Sequence, residues 1–136
     1  MKNSIIQFFV IILMITACGK KSDDGQESNT DNRVLYNEIM DIHDEVMPKT
    51  EQLYNISKQL KTNLKDATTD AERDLLQNQI DYFDSVNMMM MDWMHEFKPL
   101  PDTTSEQAAH DYYETHLEKV KLVREAILTA LDKGSN

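Results

Sequence analysis

Cysteine occurs once in the 136 residues, at Cys18, so no disulfide can form within the chain. Glycine is scarce, returning after Gly25 only at Gly134, and no phosphate-cradling glycine loop is present. His-Glu-x-x-His and Cys-x-x-Cys-His are absent too, which removes the usual zinc-protease and covalent-haem signatures. Only Asp92-Trp93-Met94-His95 approaches the Glu-x-x-His spacing of carboxylate-bridged di-iron bundles, and it does so once where two copies are needed. No serine or cysteine nucleophile has a base in a recognisable pattern, so an enzyme is not expected. Basic residues number 14 against 24 acidic ones, a formal charge of −10. Such a surface repels nucleic acid and anionic headgroups and attracts cations diffusely. Period-two alternation is missing as well, which argues against strands.

What is present begins with an address. Lys2 precedes an apolar run, Ile5 to Ile15, that is too short to span a bilayer comfortably. The run ends in Ile15-Thr16-Ala17-Cys18, and small residues before a cysteine at this place resemble a bacterial lipoprotein signal. That resemblance implies a signal peptide over residues 1–17, cleavage before Cys18, a diacylglycerol thioether on its sulfur and acylation of the new N-terminus. An uncleaved anchor helix or a plain secretory peptide are the alternatives. Each buried methylene of an acyl chain contributes about 0.8 kcal/mol, so several chains hold a protein firmly on a membrane. Removing residues 1–17 takes away Lys2 and no acid, which moves the formal charge from −10 to −11. Residues 18–31, running GKKSDDGQESNTD after Cys18, contain no large apolar side chain and read as a flexible acidic tether. Lysines and acids so close to a lipidated cysteine resemble the export tag that sends Bacteroidetes lipoproteins to the outer face of the outer membrane. A periplasm-facing tether would look the same.

The remaining chain, 32–133, is one domain with one modest core. Leu35, Ile39, Ile42, Val46, Leu53, Ile56, Leu60 and Leu64 recur at spacings of three and four, with Lys49 in the one gap. They predict a helix over 32–66 that Thr30, Asp31 or Asn32 caps and that Pro48 kinks near Asp44. Thr69 and Glu72 have capping-box spacing and open a second helix, 70–97, with the stripe Leu76, Ile80, Phe83, Asn87, Met90, Met94 and Phe97. Thr103 with Glu106, or Thr104 with Gln107, caps a third over 104–132. Its stripe is Ala109, Tyr113, His116, Val120, Val123, Ile127 and Ala130, and Gly134 stops it. Short connections make neighbours antiparallel, so the expected fold is an all-α, up-down-up three-helix bundle. A long coiled-coil hairpin with a mobile third helix is the alternative.

Antiparallel packing turns this spacing into proximity. With the first turn centred near Thr68 and a rise of about 1.5 Å per residue, His43 lies level with Trp93 and Met47 with Met89. Around the second turn, Met91 falls beside His110 and Ser85 beside His116. Apart from Met1 and Met14, every methionine and all four histidines then share one half of the bundle. Met40, His43, Met47 and Met88, Met91, His95 repeat the same i, i+3, i+7 spacing, one position off the seam. Thioether and imidazole are the ligands that suit Cu(I), and with Cys18 lipidated no thiolate competes. The candidate metal ligands are His43, Met40, Met47, Met88, Met91, His95 and His110, with copper the implied ion.

Blander readings fit the same residues. Methionine fills irregular cores and stacks on aromatic rings, here Trp93, Phe97, Tyr36 and Tyr113. Exposed methionines equally form an adaptable surface for a partner protein. His43 can be an interfacial histidine bonded to an acid, and His95 a helix C-terminal cation. His110 has Glu106 and Glu114 four residues to either side, and His116 reads as a hydrogen-bonded core histidine. A second copy could supply a fourth helix and make a homodimer.

The segments MDIHDEVMPK, Met40 to Lys49, and MMDWMHEF, Met90 to Phe97, are similar to a family of small Bacteroidetes envelope lipoproteins. That family often carries the label "viral A-type inclusion protein", which reflects coiled-coil composition. The resemblance spans the whole mature domain and implies a helical envelope lipoprotein at the outer membrane, held there by its lipid. It carries over no catalytic residue.

Overall fold

The computed structural model describes residues 24–135, with side chains from residue 30 onward. The signal segment, Cys18 and the first part of the expected tether lie outside the described residues. Three helices follow one another, α1 (Asp24–Asp66), α2 (Asp70–Glu96) and α3 (Glu106–Gly134), and no strand occurs among the described residues. Cross-helix pairs fix the directions. Asp84 of α2 accepts from Ser57 and Lys61 of α1, while Phe97 beyond the end of α2 meets Tyr36, so α2 runs against α1. Asn32 bonds Glu106 and Arg124 bonds Glu45, so α3 runs with α1. The fold is the all-α, up-down-up three-helix bundle. Among the described residues no helix is long and apolar enough to cross a membrane.

The α1 helix begins at Asp24, eight residues before the expected start at 32. Part of the expected tether is therefore helical, and Thr30, Asp31 and Asn32 lie inside the helix instead of capping it. The reason is tertiary support. Asn32 donates from Nδ2 to the Glu106 carbonyl at 3.0 Å and to its carboxylate at 3.1 Å, and Asp31 lies 3.4 Å from His110. The helix continues through Pro48, and Lys49 and Thr50 donate to the Glu45 and Met47 carbonyls nearby. At α2 the Thr69 hydroxyl accepts from the Glu72 N–H at 3.2 Å, as its spacing predicts, and the Glu72 carboxylate reaches back to the Thr68 N–H. The cap of α3 is Ser105, which accepts from Ala108, and not Thr103 or Thr104; Thr104 is occupied in a turn with Pro101. Gly134 belongs to the last turn of α3. A Cβ there would sit 2.7 Å from the Ile56 Cδ1 and 3.3 Å from Phe83, so its role is close approach.

Ile39, Val46, Leu53, Met90, Val120 and Ile127 are fully buried, each side chain contributing about 1.5–3 kcal/mol. The seams of α1 and α3 fall where their spacing puts them. In α2, Val86 and Trp93 are buried although they lie outside the expected stripe, and Met94, expected in the seam, is exposed. Ion pairs Lys61–Asp84, Lys121–Glu38, Arg124–Glu45 and Lys119–Glu96 join the helices at 2.6–2.8 Å. As solvent-screened pairs they fix register more than they add stability.

The second connection changes the register expected between α2 and α3. His116 lies beside Trp93, ring centroids 6.4 Å apart, and not beside Ser85. Pro99 and Pro101 keep the connection extended, so α3 starts beyond the end of α2, against the first turns of α1. The Tyr112 hydroxyl pins the connection, accepting from the Lys98 N–H at 2.6 Å and donating to its carbonyl at 2.9 Å.

Candidate metal and docking site

Four consecutive methionines turn through about 100° each, so one of them alone can face the core. Met90 is that residue, with 0% of its surface exposed. Met88 is 54% exposed, Met89 37%, Met91 43% and Met94 36%. Core packing therefore accounts for Met90 and leaves four methionines of α2 to be explained. On α1, Met40 and Met47 are half-buried, and Met47 packs against the core.

The side on which each lies follows from the cross-helix pairs. Ser57 and Lys61 mark the flank of α1 that faces α2, and His43 and Met47 precede them by two heptads each. Asp84 marks the flank of α2 that faces α1, and Met91 follows it by one heptad. His43, Met47 and Met91 accordingly border one groove, between α1 and α2, at one level. The His43 ring lies 6.0 Å from the Trp93 ring, the level expected of it. Met40 is one turn from His43 on the same stripe. Met94, between Met90 and Met91 around the helix, borders this groove too; its place in the seam pattern hid it from the sequence.

His43 is the best-formed candidate ligand. Its Nδ1 lies 2.9 Å from the Asp44 carboxylate, which suits an Nδ1–H donor and leaves the Nε2 lone pair for a ligand. The other candidates separate from it. His110 lies 3.4 Å from Asp31 and 3.5 Å from Glu114, at the α1–α3 side, and is not beside Met91. The overhang of α3 takes it there. His95 is exposed in the last turn of α2, and Met88 points most directly into solvent. Among the described residues no three His, Cys, Asp or Glu converge as a metal-holding group, so a metal here depends on thioethers.

His116 is buried in an aromatic cage, its ring 4.4 Å from Tyr112 and 5.1 Å from Phe97. Its Nδ1 has no hydrogen-bond partner, contrary to the hydrogen-bonded core histidine expected. Burial, helped by the Lys119 charge, pushes its pKa below the ordinary value. Asn87 Oδ1 and Trp93 Nε1 are likewise buried without partners, unusual for polar atoms in a core.

On the other flank of α2, a shallow groove of about 290 Å³ separates it from α3. Met89 and the exposed Leu122 wall it, buried Trp93 and Val123 form its floor, and Asp92 and Glu96 rim it. The Glu96 carboxylate is held below the ordinary range by Lys119, 2.6 Å away. No family model, curated protein or solved structure matches the chain.

Proposed function

We propose that this protein is a lipid-anchored module of the cell envelope that holds a soft transition metal, Cu(I), in the groove between α1 and α2. His43 Nε2 and the thioethers of Met47, Met91 and Met40 are the ligands, with Met94 in reserve. The observation that carries the reading is the hydrogen bond that orients His43 in the middle of a methionine stripe. A carboxylate on the far nitrogen of an imidazole is the usual outer-shell support of a metal-bound histidine. Lipidation of Cys18 supplies the membrane contact, and the resemblance to Bacteroidetes outer-membrane lipoproteins supports the location. The test is an oxygen-free titration of the domain from Asp24 with Cu(I) against a chromophoric chelator. One equivalent should bind at least as tightly as about −12 kcal/mol. His43→Ala should abolish this and Met91→Leu weaken it, while His110→Ala leaves it unchanged. Failure to compete with the chelator removes the reading.

A second reading is favoured by the exposure of Met88, Met89 and Leu122. A methionine surface rimmed by carboxylates suits a basic amphipathic helix of a partner protein. Trp93, the one tryptophan, lines that groove and reports on it. A Leu/Lys amphipathic peptide should shift its emission in wild type and not in Leu122→Glu. No shift in wild type leaves the α2–α3 groove without this role.

A further inference from the structure

The row of α2 that faces α3 is marked at both ends. Glu96 pairs with Lys119 at 2.6 Å, and the Lys133 ammonium lies 4.7 Å over the Tyr82 ring. Met89 lies one heptad from Tyr82 and from Glu96, and Ala126 one heptad from Lys119 and from Lys133, so these two stand level between the marked pairs. Three residues on, each row turns away from the core. Ser85 and Asp92 on α2 are exposed there, as are Leu122 and Thr129 on α3. Leu122 is the most exposed large apolar side chain among the described residues, at 62%. We infer that this face pairs with the same face of a second copy of the chain, α2 of each against α3 of the other. The inference rests on the α2–α3 groove being a docking surface, as read above, and names its occupant.

Charge selects that occupant. On this face α2 contributes Asp92 and Glu96 and α3 contributes Lys119 and Lys133, so the face is neutral on a chain whose formal charge is −10. Its acids stand on one helix and its lysines on the other. A helix basic on both flanks would meet Lys119 and Lys133, and an acidic one would meet Asp92 and Glu96. A copy turned about a two-fold axis parallel to the helices brings each acidic row against a basic one, the self-complementarity that a two-fold interface requires. Levels along the helices are unchanged by that rotation. Asp92, which forms no ion pair within the described residues, then comes within about one turn of Lys119 of the other copy. Lys119 already holds Glu96, and a lysine ammonium has three donors, so it serves both carboxylates. Met89 and Leu122 are covered between the charged rows. The exposed row of α3, Leu122 between two lysines, is thus the basic partner helix already proposed for the carboxylate rim. The same symmetry suits two chains anchored through Cys18 in one membrane, since it keeps their α1 helices parallel.

The experiment co-expresses full-length chains carrying two different affinity tags, solubilises them in detergent and measures how much of one tag is recovered through the other. Wild-type chains should recover each other. Asp92→Lys paired with itself, and Lys119→Glu paired with itself, should each recover at least about tenfold less, because like charges then face each other across the interface. Asp92→Lys paired with Lys119→Glu should recover at the wild-type level, since one contact has its signs exchanged and the other keeps the natural pair. Both positions are exposed, and the mixed pair shows with the same two chains that neither substitution has unfolded the bundle. Leu122→Glu should abolish recovery, with helical content read beside it. Equal recovery in every combination, or a mixed pair no better than the two variants alone, overturns the assignment. If wild-type chains fail to recover each other while the Leu/Lys peptide still shifts Trp93 emission, the groove docks a different partner. If the peptide fails too, the docking reading falls with the dimer.

Discussion

Truncating Met90 and its neighbours one at a time separates the roles of the four consecutive methionines. Met90 is fully buried in the cluster that includes Val86, Trp93, Ile39 and Val120, and Met90→Ala leaves a cavity there. Such a truncation costs about 2–5 kcal/mol. A domain of this size has a total stability of about 5–15 kcal/mol, and 1 kcal/mol moves its melting temperature by roughly 4 °C. The expected fall is therefore about 8–20 °C. Met91→Ala and Met88→Ala, at exposed positions, should stay within about 0.5 kcal/mol of wild type. Urea unfolding followed by far-ultraviolet circular dichroism gives all three values. Repeating it with Cu(I) at about 100 times its dissociation constant should add about 2.7 kcal/mol to wild type. Met90→Ala keeps that increment and Met91→Ala loses most of it. If Met91→Ala without metal cost as much as Met90→Ala, the rotation assigned to α2 would be wrong, and the groove assignment with it.

Three further outcomes are expected. Asn87→Leu should stabilise the domain by about 1–3 kcal/mol, read by urea unfolding, because it removes a buried carbonyl oxygen that has no partner. Stability should be flat above about pH 7 and fall as pH drops through about 6.5, since the unfolded chain takes up the His116 proton before the folded one does. Thermal melts of His116→Phe should lose that slope, whereas the lowered carboxyls of Asp84, Glu45 and Glu96 act only in the acid range below it. Cys18→Ser in the full-length chain should abolish fatty-acid incorporation in metabolic labelling, and labelling that persisted would remove Cys18 as the lipidated residue.

The three helices were legible because their seams are long and regular, and because a capping box marks the start of α2. What escaped was decided by contacts between distant residues. Nothing local says that Asn32 will be held by Glu106, some seventy residues on, or that Asp24–Asp31 will therefore be helical. The overhang of α3 was hidden for a similar reason. Two prolines announce an extended connection but not how far it climbs, and that distance decides whether His110 meets Met91 or Asp31. Level pairs across the short first connection held, as His43 beside Trp93 shows.

Methionine on every side of a helix has three answers here because α2 has three surroundings. One side chain completes the core, those on the α1 flank border the groove beside His43, and Met89 and Met88 line or adjoin the open face toward α3 and solvent. A leucine at each exposed position would pack as well against a partner, but only a thioether is also a soft ligand. Replacing Met91 and Met94 together by leucine therefore keeps shape and hydrophobicity while removing sulfur. Unchanged stability with lost Cu(I) affinity would mean that chemistry placed those methionines. Unchanged affinity would mean that adaptable packing did, and would assign the whole exposed surface of α2 to docking.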